Sequence, residues 1–402
     1  MTHRSNSASH PSRRIHGLFH FFLVAFAAPA GWPTFIIYLF AAAVAAGIAW
    51  LWAVRSTASS HGLLVFLIMM SFFVADKVIL ASLPRRGVSF APWGEQILAL
   101  VAPRTAAAMF FGWIIPHIGW TAAFYGNIAL QLLGTIALYR GAIMEPRRLT
   151  LSRLSVNCDR LPSGAPPVRI LHISDLHIER LGLREEQLLD LIASETPDFI
   201  LISGDYVNLS NNRDAVTHQH VRELLGKLAA SGRVFAVLGS PAVDLPEVIP
   251  PLFDKTGVRL LRDEVVELRG PGGQAMQLIG LECHHRDLEG DVASLDRLLA
   301  DSAGDRPFIL LYHSPEIMPQ ATERGIDLYL CGHTHGGQVR LPLVGPVITS
   351  SRLGRRYVMG HYREGRTHLY VSRGVGFEGM GAPRVRFLCP PEITLITLEP
   401  GR

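Results

Sequence analysis

Four short apolar runs in this chain are each followed by residues that can bind a metal ion. Runs of this length, bounded by turn-forming residues, are typical of buried strands, so these polar side chains fall on loops just past strand ends. The side chains are Asp175, His177, Asp205, His313, His333 and His335. Carboxylate oxygens and imidazole nitrogens gathered at one sheet edge suit borderline divalent ions such as Mn, Fe, Zn or Co. The pattern therefore predicts a centre for two divalent ions.

The last of these loops, Cys331–Gln338, carries the pattern Gly-His-x-His-Gly-Gly. The neutral imidazoles of His333 and His335 can point into one cleft, and the flanking glycines allow backbone torsions and close approaches that a Cβ would block. A His-x-His pair by itself is more often part of an ordinary polar turn. Together with the other three strand ends, the order Asp-x-His, Gly-Asp, His and Gly-His-x-His is specific for a metal cluster.

This order of motifs resembles the calcineurin-like metallophosphoesterase family, in the form found in its membrane-attached bacterial branch. The resemblance runs from about residue 168 to the end of the chain and includes Ser372–Phe377 and Arg386–Glu392. It implies an α/β domain built as a four-layer αββα sandwich that hydrolyses phosphate monoesters or diesters. It further implies that a hydroxide bridging two metal ions attacks phosphorus in line, while the ions stabilise the attacking and leaving oxygens.

The resemblance also assigns the metal ligands by motif. One ion would be held by Asp175, His177 and His335, the second by His313 and His333, and both by Asp205 as a bridging carboxylate. The native metals would be Mn, Fe, Zn or Co.

One motif of the family is broken in this chain. Where the family has Gly-Asn-His-Asp or Gly-Asn-His-Glu, the chain has Gly239-Ser240-Pro241-Ala242. The resemblance implies that the missing Asn would ligate the second ion and that the missing His would contact the phosphate and assist the leaving group. The side chain of Pro241 offers neither a donor nor a lone pair. We expect Ser240 to reach the second ion through its hydroxyl, as a weaker ligand than an amide oxygen.

Two interpretations of this break stay open. In the first, the protein keeps both metals and works with a good leaving group or a substitute acid. In the second, it is a catalytically impaired metal- or phosphate-binding membrane protein with a degraded second site. Losing a general acid lowers a rate by about 10²- to 10⁴-fold, which impairs catalysis without abolishing metal-driven attack.

The substitute acids that the sequence offers are His284 and His285, which follow the strand ending at Gly280. We predict a catalytic role for them. The alternative is that both are ordinary histidines of a solvated loop.

The chain as a whole is too apolar for an ordinary soluble protein. Of the 402 residues, 49% are hydrophobic and only 18% are charged. The runs Pro33–Val54 and Gly62–Leu80 are long enough to cross a bilayer. A longer run, Gln96–Tyr139, is broken at Arg104 and at Pro116–His117 and has room for two more helices. We therefore predict four transmembrane helices, with three or five as alternatives.

Arginines flank this apolar region at both ends. They are Arg4, Arg13 and Arg14 before the first span and Arg140, Arg147, Arg148, Arg153 and Arg160 after the last. Positively charged flanks stay in the cytoplasm, so four spans place both ends and the Arg85–Arg86 loop inside. We predict a multi-pass protein of the cell inner (plasma) membrane with a cytoplasmic catalytic domain. The shorter run Gly17–Ala30 is interpreted as an interfacial segment, with a signal peptide as the alternative.

The composition changes at about residue 150, where apolar runs shorten to strand length. We predict a membrane domain over residues 1–150 and a metallophosphoesterase domain over residues 151–402. Strands alternate with helices from Val168 to Leu238, which is typical of a layered α/β domain. The strands after Val258 come without long helices and indicate a second, more antiparallel sheet.

These features predict a membrane-anchored phosphoesterase whose substrate is a phosphate ester. The membrane bundle makes phospholipids or nucleotide-linked lipids the natural candidates, an inference from location alone. The group of Arg352, Arg355 and Arg356 fits either an anionic head group or a solvated basic loop. Nucleic-acid binding is not indicated, because the net charge is only +4 and the arginines cluster around apolar segments.

Overall fold

The computed structural model describes residues 32–90, 93–285, 287–302, 304–379 and 382–401. The chain divides into two compact units, one with the long apolar helices and one with the α/β domain together with residues 84–90. The interfacial segment predicted at Gly17–Ala30 lies outside the described residues, as do the first three arginines.

The first unit contains four long apolar helices: α1 (Thr34–Ser56), α2 (Ser59–Ser82), α3 (Trp93–Ile118) and α4 (Trp120–Tyr139). By length and composition, four helices of the described chain could cross a membrane. Between the last two, Gly119 adopts φ 80, a left-handed conformation that glycine reaches without strain. The two helices predicted for the run Gln96–Tyr139 are α3 and α4, and α3 continues through Arg104 and through both Pro103 and Pro116.

A buried ion pair accommodates the charge of Arg104 inside the helical unit. Its guanidinium contacts the carboxylate of Asp76 on α2 through two hydrogen bonds of 2.6 and 2.5 Å. Further bonds reach Gln131 and Thr135 on α4, at 3.0 and 2.8 Å. Asp76 is fully buried and Arg104 nearly so. A charge in an apolar helix is tolerated when it faces other helices and is paired, as here.

Removing one partner of this pair should destabilise the helical unit. In an Asp76→Ala variant the Arg104 guanidinium keeps its burial but loses its carboxylate, so we expect the free energy of unfolding in detergent to fall by about 3 kcal/mol or more. The double variant Asp76→Leu/Arg104→Leu removes both charges and should lose less than the single variant. Unfolding followed by circular dichroism measures both, and equal losses would contradict this account.

The second unit contains fourteen strands and four helices among the described residues. The strands are β1 (Thr150–Cys158), β2 (Val168–Ile173), β3 (Phe199–Ile202), β4 (Val234–Ala236), β5 (Arg259–Leu260), β6 (Glu264–Arg269), β7 (Ala275–Gly280), β8 (Phe308–Leu311), β9 (Leu328–Cys331), β10 (Arg340–Leu341), β11 (Gly345–Pro346), β12 (Gly360–Glu364), β13 (Thr367–Val371) and β14 (Glu392–Pro400). The helices are α5 (Leu183–Glu195), α6 (Ala215–Ala230), α7 (Leu288–Ala300) and α8 (Met318–Glu323).

Two six-stranded sheets form the centre of this unit. Their strand orders are β1-β14-β2-β3-β4-β5 and β12-β13-β9-β8-β7-β6. A core that includes Ile170 and Leu201 from the first sheet and Ile309 and Leu330 from the second lies between them. Helices α5 and α6 pack on the outer face of the first sheet, and α7 and α8 on the outer face of the second. The domain is thus the predicted four-layer αββα sandwich.

Side-chain caps fix where two of these helices begin, and the spacing of apolar residues fixes which face of α6 is buried. The side chain of Asp214 accepts a hydrogen bond from Thr217 N at the start of α6, and Asp287 does the same for Gly290 N at the start of α7. On α6 the buried face recurs at helical spacing, with Val221, Leu224 and Leu228 in the core.

The second sheet is more antiparallel than the first, as predicted, but only slightly: among the described strands it has two antiparallel pairs, and the first sheet has one. Strands β7, β8, β9 and β13 pair in parallel, and only the outer pairs β6–β7 and β12–β13 are antiparallel. Parallel neighbours need crossover connections, and α7 and α8 supply two of them. The consequence matters for the site, because parallel strands bring their carboxyl ends to one edge.

Candidate metal centre

The predicted ligands follow the carboxyl ends of parallel strands in both sheets. In the first sheet Asp175 and His177 follow β2, Asp205 follows β3 and Ser240 follows β4. In the second sheet β8 precedes His313, and β9 precedes His333 and His335. Two facing sheets therefore contribute side chains to a single edge of the sandwich.

Among the described residues, there are three groups of three side chains that could hold a metal ion. Within each group, one ligand atom of every side chain lies within 4.8 Å of the others. The groups are Asp175, His177 and His335; Asp175, Asp205 and His313; and His285, His313 and His333. The first and second share Asp175, and the second and third share His313. The predicted Asp and His ligands are thus brought together, and His285 joins the third group, where its Nε2 lies 2.9 Å from the hydroxyl of Ser240.

Hydrogen bonds fix the orientation of three histidine rings in the cluster. Nδ1 of His177 lies 3.2 Å from the carbonyl oxygen of Val207, and Nδ1 of His313 lies 2.7 Å from that of Ser203. Nε2 of His333 lies 3.0 Å from the carbonyl oxygen of Ser350. A carbonyl accepts only from an N–H, so in the neutral form of each ring the opposite nitrogen turns its lone pair to the cluster. This arrangement is the one that metal-ligating histidines use.

The chemistry of this donor set fits two divalent ions. Its neutral imidazole nitrogens and carboxylates are ligands that Mn, Fe, Zn and Co accept. The two Nε2 atoms of His177 and His335 approach to 3.0 Å. Nε2 of His313 lies 3.4 Å from Asp205 Oδ1, and Nε2 of His177 lies 3.6 Å from Asp205 Oδ2. Asp205 therefore reaches both groups, as a bridging ligand must.

Six residues of the cluster have left-handed backbone conformations, which side chains other than glycine rarely adopt. They are Asp175, His177, Asp205, His285, His333 and His335, with φ between 42 and 68. Close packing holds them there. A Cβ at Gly332 would lie 2.2 Å from Asp175 Oδ2, and one at Gly239 would lie 2.2 Å from Asp205 Oδ1. Strained torsions that concentrate in one cleft are typical of a functional site.

The structure separates the two histidines predicted as substitute acids. His284 Nδ1 lies 2.6 Å from Asp291 Oδ1, about half of its side chain is exposed, and it belongs to none of the ligand groups of the described residues. His285 belongs to the cluster, with Nε2 2.9 Å from the hydroxyl of Ser240. Burial and the nearby His313 lower the pKa of His285 to about 4. The catalytic roles given to both residues stay predictions.

Sequence reasoning missed three residues that support the cluster. The buried carboxylate of Asp244 accepts hydrogen bonds from the backbone N–H groups of Asp205, Tyr206 and Gly239, at 2.7 to 2.9 Å. Burial and the Asp205 charge raise the pKa of Asp244 to about 7. Glu378 Oε1 lies 3.0 Å from His177 Nδ1, and the buried guanidinium of Arg386 lies 3.3 Å from His335 Nδ1. The only sequence signal for Asp244 is its position four residues after Ser240.

The cluster is electrostatically coupled. Burial lowers the pKa of His177, but the carboxylates of Glu378, Asp205 and Asp175 outweigh it and raise that pKa to about 9. Burial likewise lowers the pKa of His313, while Asp205 raises it to about 9. Burial and the charge of His177 hold the pKa of His335 well below its usual value.

Metal binding should therefore release protons. Near pH 7 and without metal, His177 and His313 each carry an extra proton, because their pKa values are about 9. An ion binds only the neutral ring, so we expect about one proton released for each ion and an apparent affinity that rises with pH until about pH 9. Calorimetric titration with Mn²⁺ in buffers of different ionisation enthalpy measures this release. An observed heat that does not depend on the buffer would contradict it.

Comparisons with known proteins identify the family of this chain. Residues 168–337 match the family model of the calcineurin-like phosphoesterases. The chain is 31% identical to "Uncharacterized metallophosphoesterase YkuE" of Bacillus subtilis (strain 168) over 265 residues, which is 64% of this chain and 87% of that protein. It is 31% identical to "Phosphodiesterase YaeI" of Escherichia coli (strain K12) over 245 residues, 58% of this chain and 83% of that one. The solved phosphoesterase Yfce of E. coli has a TM-score of 0.27 and 16% identity, over 52% of this chain and 80% of that chain. The chain belongs to the calcineurin-like phosphoesterase family and is a metal-dependent phosphoric ester hydrolase.

Proposed function

We propose that the protein is a membrane-anchored phosphoesterase that holds two divalent ions and cleaves phosphate monoesters or diesters. The observation that carries the proposal is the convergence of three ligand groups at the carboxyl ends of parallel strands. In this proposal Asp175, His177 and His335 hold the first ion, with Asp205 between the two ions. The second ion lies by His313 and His333, with Ser240 as the weaker neighbour predicted from the sequence. Mn, Fe, Zn or Co would suit these ligands.

When bound, the two ions would lower the pKa of the attacking water and neutralise charge on the phosphate oxygens. The chain's own residues orient these ligands. The carbonyl oxygens of Val207, Ser203 and Ser350 fix the imidazole rings. The N–H of Ser240 donates to Asp205 Oδ1 at 2.6 Å and helps to keep this carboxylate ionised.

The leaving group receives less help in gaining a proton than the attacking water receives in losing one. Pro241 offers no proton, and His284 is paired with Asp291. We therefore propose an enzyme that favours esters with acidic leaving groups. The second candidate, a catalytically impaired metal- or phosphate-binding membrane protein, is favoured by this same loop, Gly239–Ala242.

We propose a lipid phosphate ester as the substrate class. The hairpin of β10 and β11, which follows His335–Gly337 in the chain, supports this. Its side chains Leu341, Leu343, Val344 and Val347 are all exposed, and among described residues from Thr150 onward only Leu183 and Val216 are comparably exposed large apolar side chains. The guanidinium of Arg355 donates to the carbonyl oxygens of Val344 and Pro346. An exposed apolar tip beside a cation suits an anionic lipid surface.

We also propose a multi-pass inner (plasma) membrane location with a membrane domain over residues 1–150 and a cytoplasmic catalytic domain over residues 151–402. The loop of residues 84–90, between α2 and α3, supports a common side for loop and domain. The Ser89 hydroxyl lies 3.1 Å from Glu179 Oε1, and the N–H of Phe90 donates to Glu179 Oε2 at 2.6 Å. Two helices separate this loop from the domain along the chain. Arg85 and Arg86 in the loop, and the arginines that follow the last span, favour the cytoplasmic side.

Hydrolysis should depend on Asp205. In the detergent-solubilised protein loaded with Mn²⁺, we expect turnover of an activated aryl phosphodiester to fall by about 10²-fold or more in Asp205→Asn, since the carboxylate that lies beside both His177 and His313 becomes a neutral amide. Asp190→Asn, an exposed aspartate on α5, is the matched control and should keep its activity. Metal content is measured on the same samples. Equal turnover by the wild type and Asp205→Asn, or none by the metal-loaded wild type, would contradict the proposal.

The apolar hairpin should matter for lipid substrates alone. We expect Leu343→Asp/Val344→Asp to lower the hydrolysis of a phospholipid presented in anionic vesicles by about 10-fold, because two apolar side chains no longer enter the lipid surface. Turnover of a water-soluble aryl diester should not change. Val216→Asp, at an exposed apolar site on α6, is the matched control. Equal losses on both substrates would show that the hairpin acts on the site itself and not through lipid.

A further inference from the structure

Several parallel strand ends from both sheets lie at the edge that carries the metal centre. Those of β2, β3, β4, β8 and β9 carry the ligands predicted from sequence motifs. The end of β7 lies at the same edge, and its loop brings His285 into the cluster. We propose that His285 is a ligand of the second divalent ion. It fills the coordination position at which the hydroxyl of Ser240 is a weaker ligand than the amide oxygen of an asparagine would be. The inference rests on the proposed function, because it adds a ligand to the same centre.

The distances within the third group support a ligand role. One ring nitrogen of each of His285, His313 and His333 lies within 4.8 Å of the others. The ring centroid of His285 lies 4.4 Å from that of His333 and 5.9 Å from that of His313. Imidazole nitrogens sit about 2.1 Å from a bound ion, so two on opposite sides of it are about 4.2 Å apart. Side-chain shifts of under about 1 Å would let all three bind one ion.

The hydroxyl of Ser240 marks the point on which these rings converge. Its Oγ lies 2.9 Å from His285 Nε2, 3.1 Å from His313 Nε2 and 3.5 Å from His333 Nδ1. Three rings from the second sheet thus direct a nitrogen at one small polar group on the first sheet. A serine hydroxyl is a poor ligand for a divalent ion compared with imidazole. The coordination position beside Ser240 therefore has a strong ligand in His285, although the Ser240 hydroxyl is itself a weak one.

The backbone of the β7 loop holds His285 as the other ligand loops hold theirs. His285 has φ 44, in the left-handed region that Asp175, His177, Asp205, His333 and His335 also occupy. The guanidinium of Arg352 donates to the carbonyl oxygen of His285 at 2.5 Å, and the N–H of Arg352 donates to Glu316 at 2.7 Å. The ring is oriented from behind by the buried Cys283, whose Sγ lies 3.6 Å from His285 Nδ1. Nε2 is left to face the centre.

The neighbouring His284 provides an internal contrast. It has the same side chain, one position earlier, but its ring bonds to Asp291 outside the cluster. Asp291 also accepts from the hydroxyl of Tyr312, so this partner is itself fixed. The geometry of the loop therefore directs one of two adjacent histidines to the centre and keeps the other away from it.

The test is metal binding by the full-length protein in detergent, with Mn²⁺ as the probe. We expect two ions per chain in the wild type and in His284→Ala, the matched control. In His285→Ala we expect the first ion to be retained and the dissociation constant of the second to rise by about 10²-fold or more. Electron paramagnetic resonance provides a second measurement, because the signal of a coupled Mn pair should give way to that of a single ion.

A rescue variant tests the replacement of Ser240 directly. In His285→Ala/Ser240→Asn an amide returns to the first sheet, so we expect the second ion to bind again with at least a tenfold lower dissociation constant than in His285→Ala. If His285→Ala loses the first ion as well and so fails to fold, His285→Asn decides the same question. It keeps an amide ligand and should hold the second ion more weakly than the wild type while retaining the first.

The outcomes separate this inference from the proposed function. Two ions held with unchanged affinity by His285→Ala would overturn the ligand role, and the phosphoesterase proposal would stand if the wild type turns over. Two ions together with a loss of activity confined to alkyl esters would instead assign His285 as the acid. A wild type that binds no Mn²⁺ would overturn both proposals.

Discussion

The buried carboxylate of Asp205 is the group on which the centre depends. It lies between His177 of the first sheet and His313 of the second, at 3.6 and 3.4 Å, and it is 3% exposed. A buried charge is costly unless it is paired and hydrogen-bonded. Burial raises the pKa of Asp205, yet His313 and His177 lower it below its usual range. The ends of β3 and β8 must therefore stay opposite each other for the carboxylate to remain ionised.

The second constraint is backbone strain. Each non-glycine residue in the left-handed region costs on the order of 1 kcal/mol or more, and six cluster residues share that conformation. Such torsions persist because the surroundings permit no relaxation. Asp244 ties the backbone of Asp205 and Tyr206 to Gly239, so the ends of β3 and β4 cannot move apart without losing buried hydrogen bonds. The strain and its support together give a centre whose ligands are positioned before any ion arrives.

Much of this architecture could be predicted from the sequence, because short apolar runs followed by Asp or His carry both strand and ligand signals. The family and the αββα sandwich are confirmed, whereas the ligand roles stay predictions. What escaped prediction depends on contacts between distant segments. Asp244 acts through backbone N–H groups far from it in the sequence. The burial of Arg104 within the helical unit depends on its pairing with Asp76, 28 residues earlier. No local pattern records either contact.

The proposed ligand role of His285 would let a broken motif coexist with a complete ligand set. The centre lies between two sheets, so a position around an ion can be reached from either side. Ser240 ends a strand of the first sheet, and His285 follows a strand of the second, yet their side chains meet at 2.9 Å. A loss on one sheet can thus be offset by a longer side chain on the other, without any change in the fold. Motif matching along the chain examines each strand end alone, and for that reason it recognises the loss at Ser240 but not the replacement at His285.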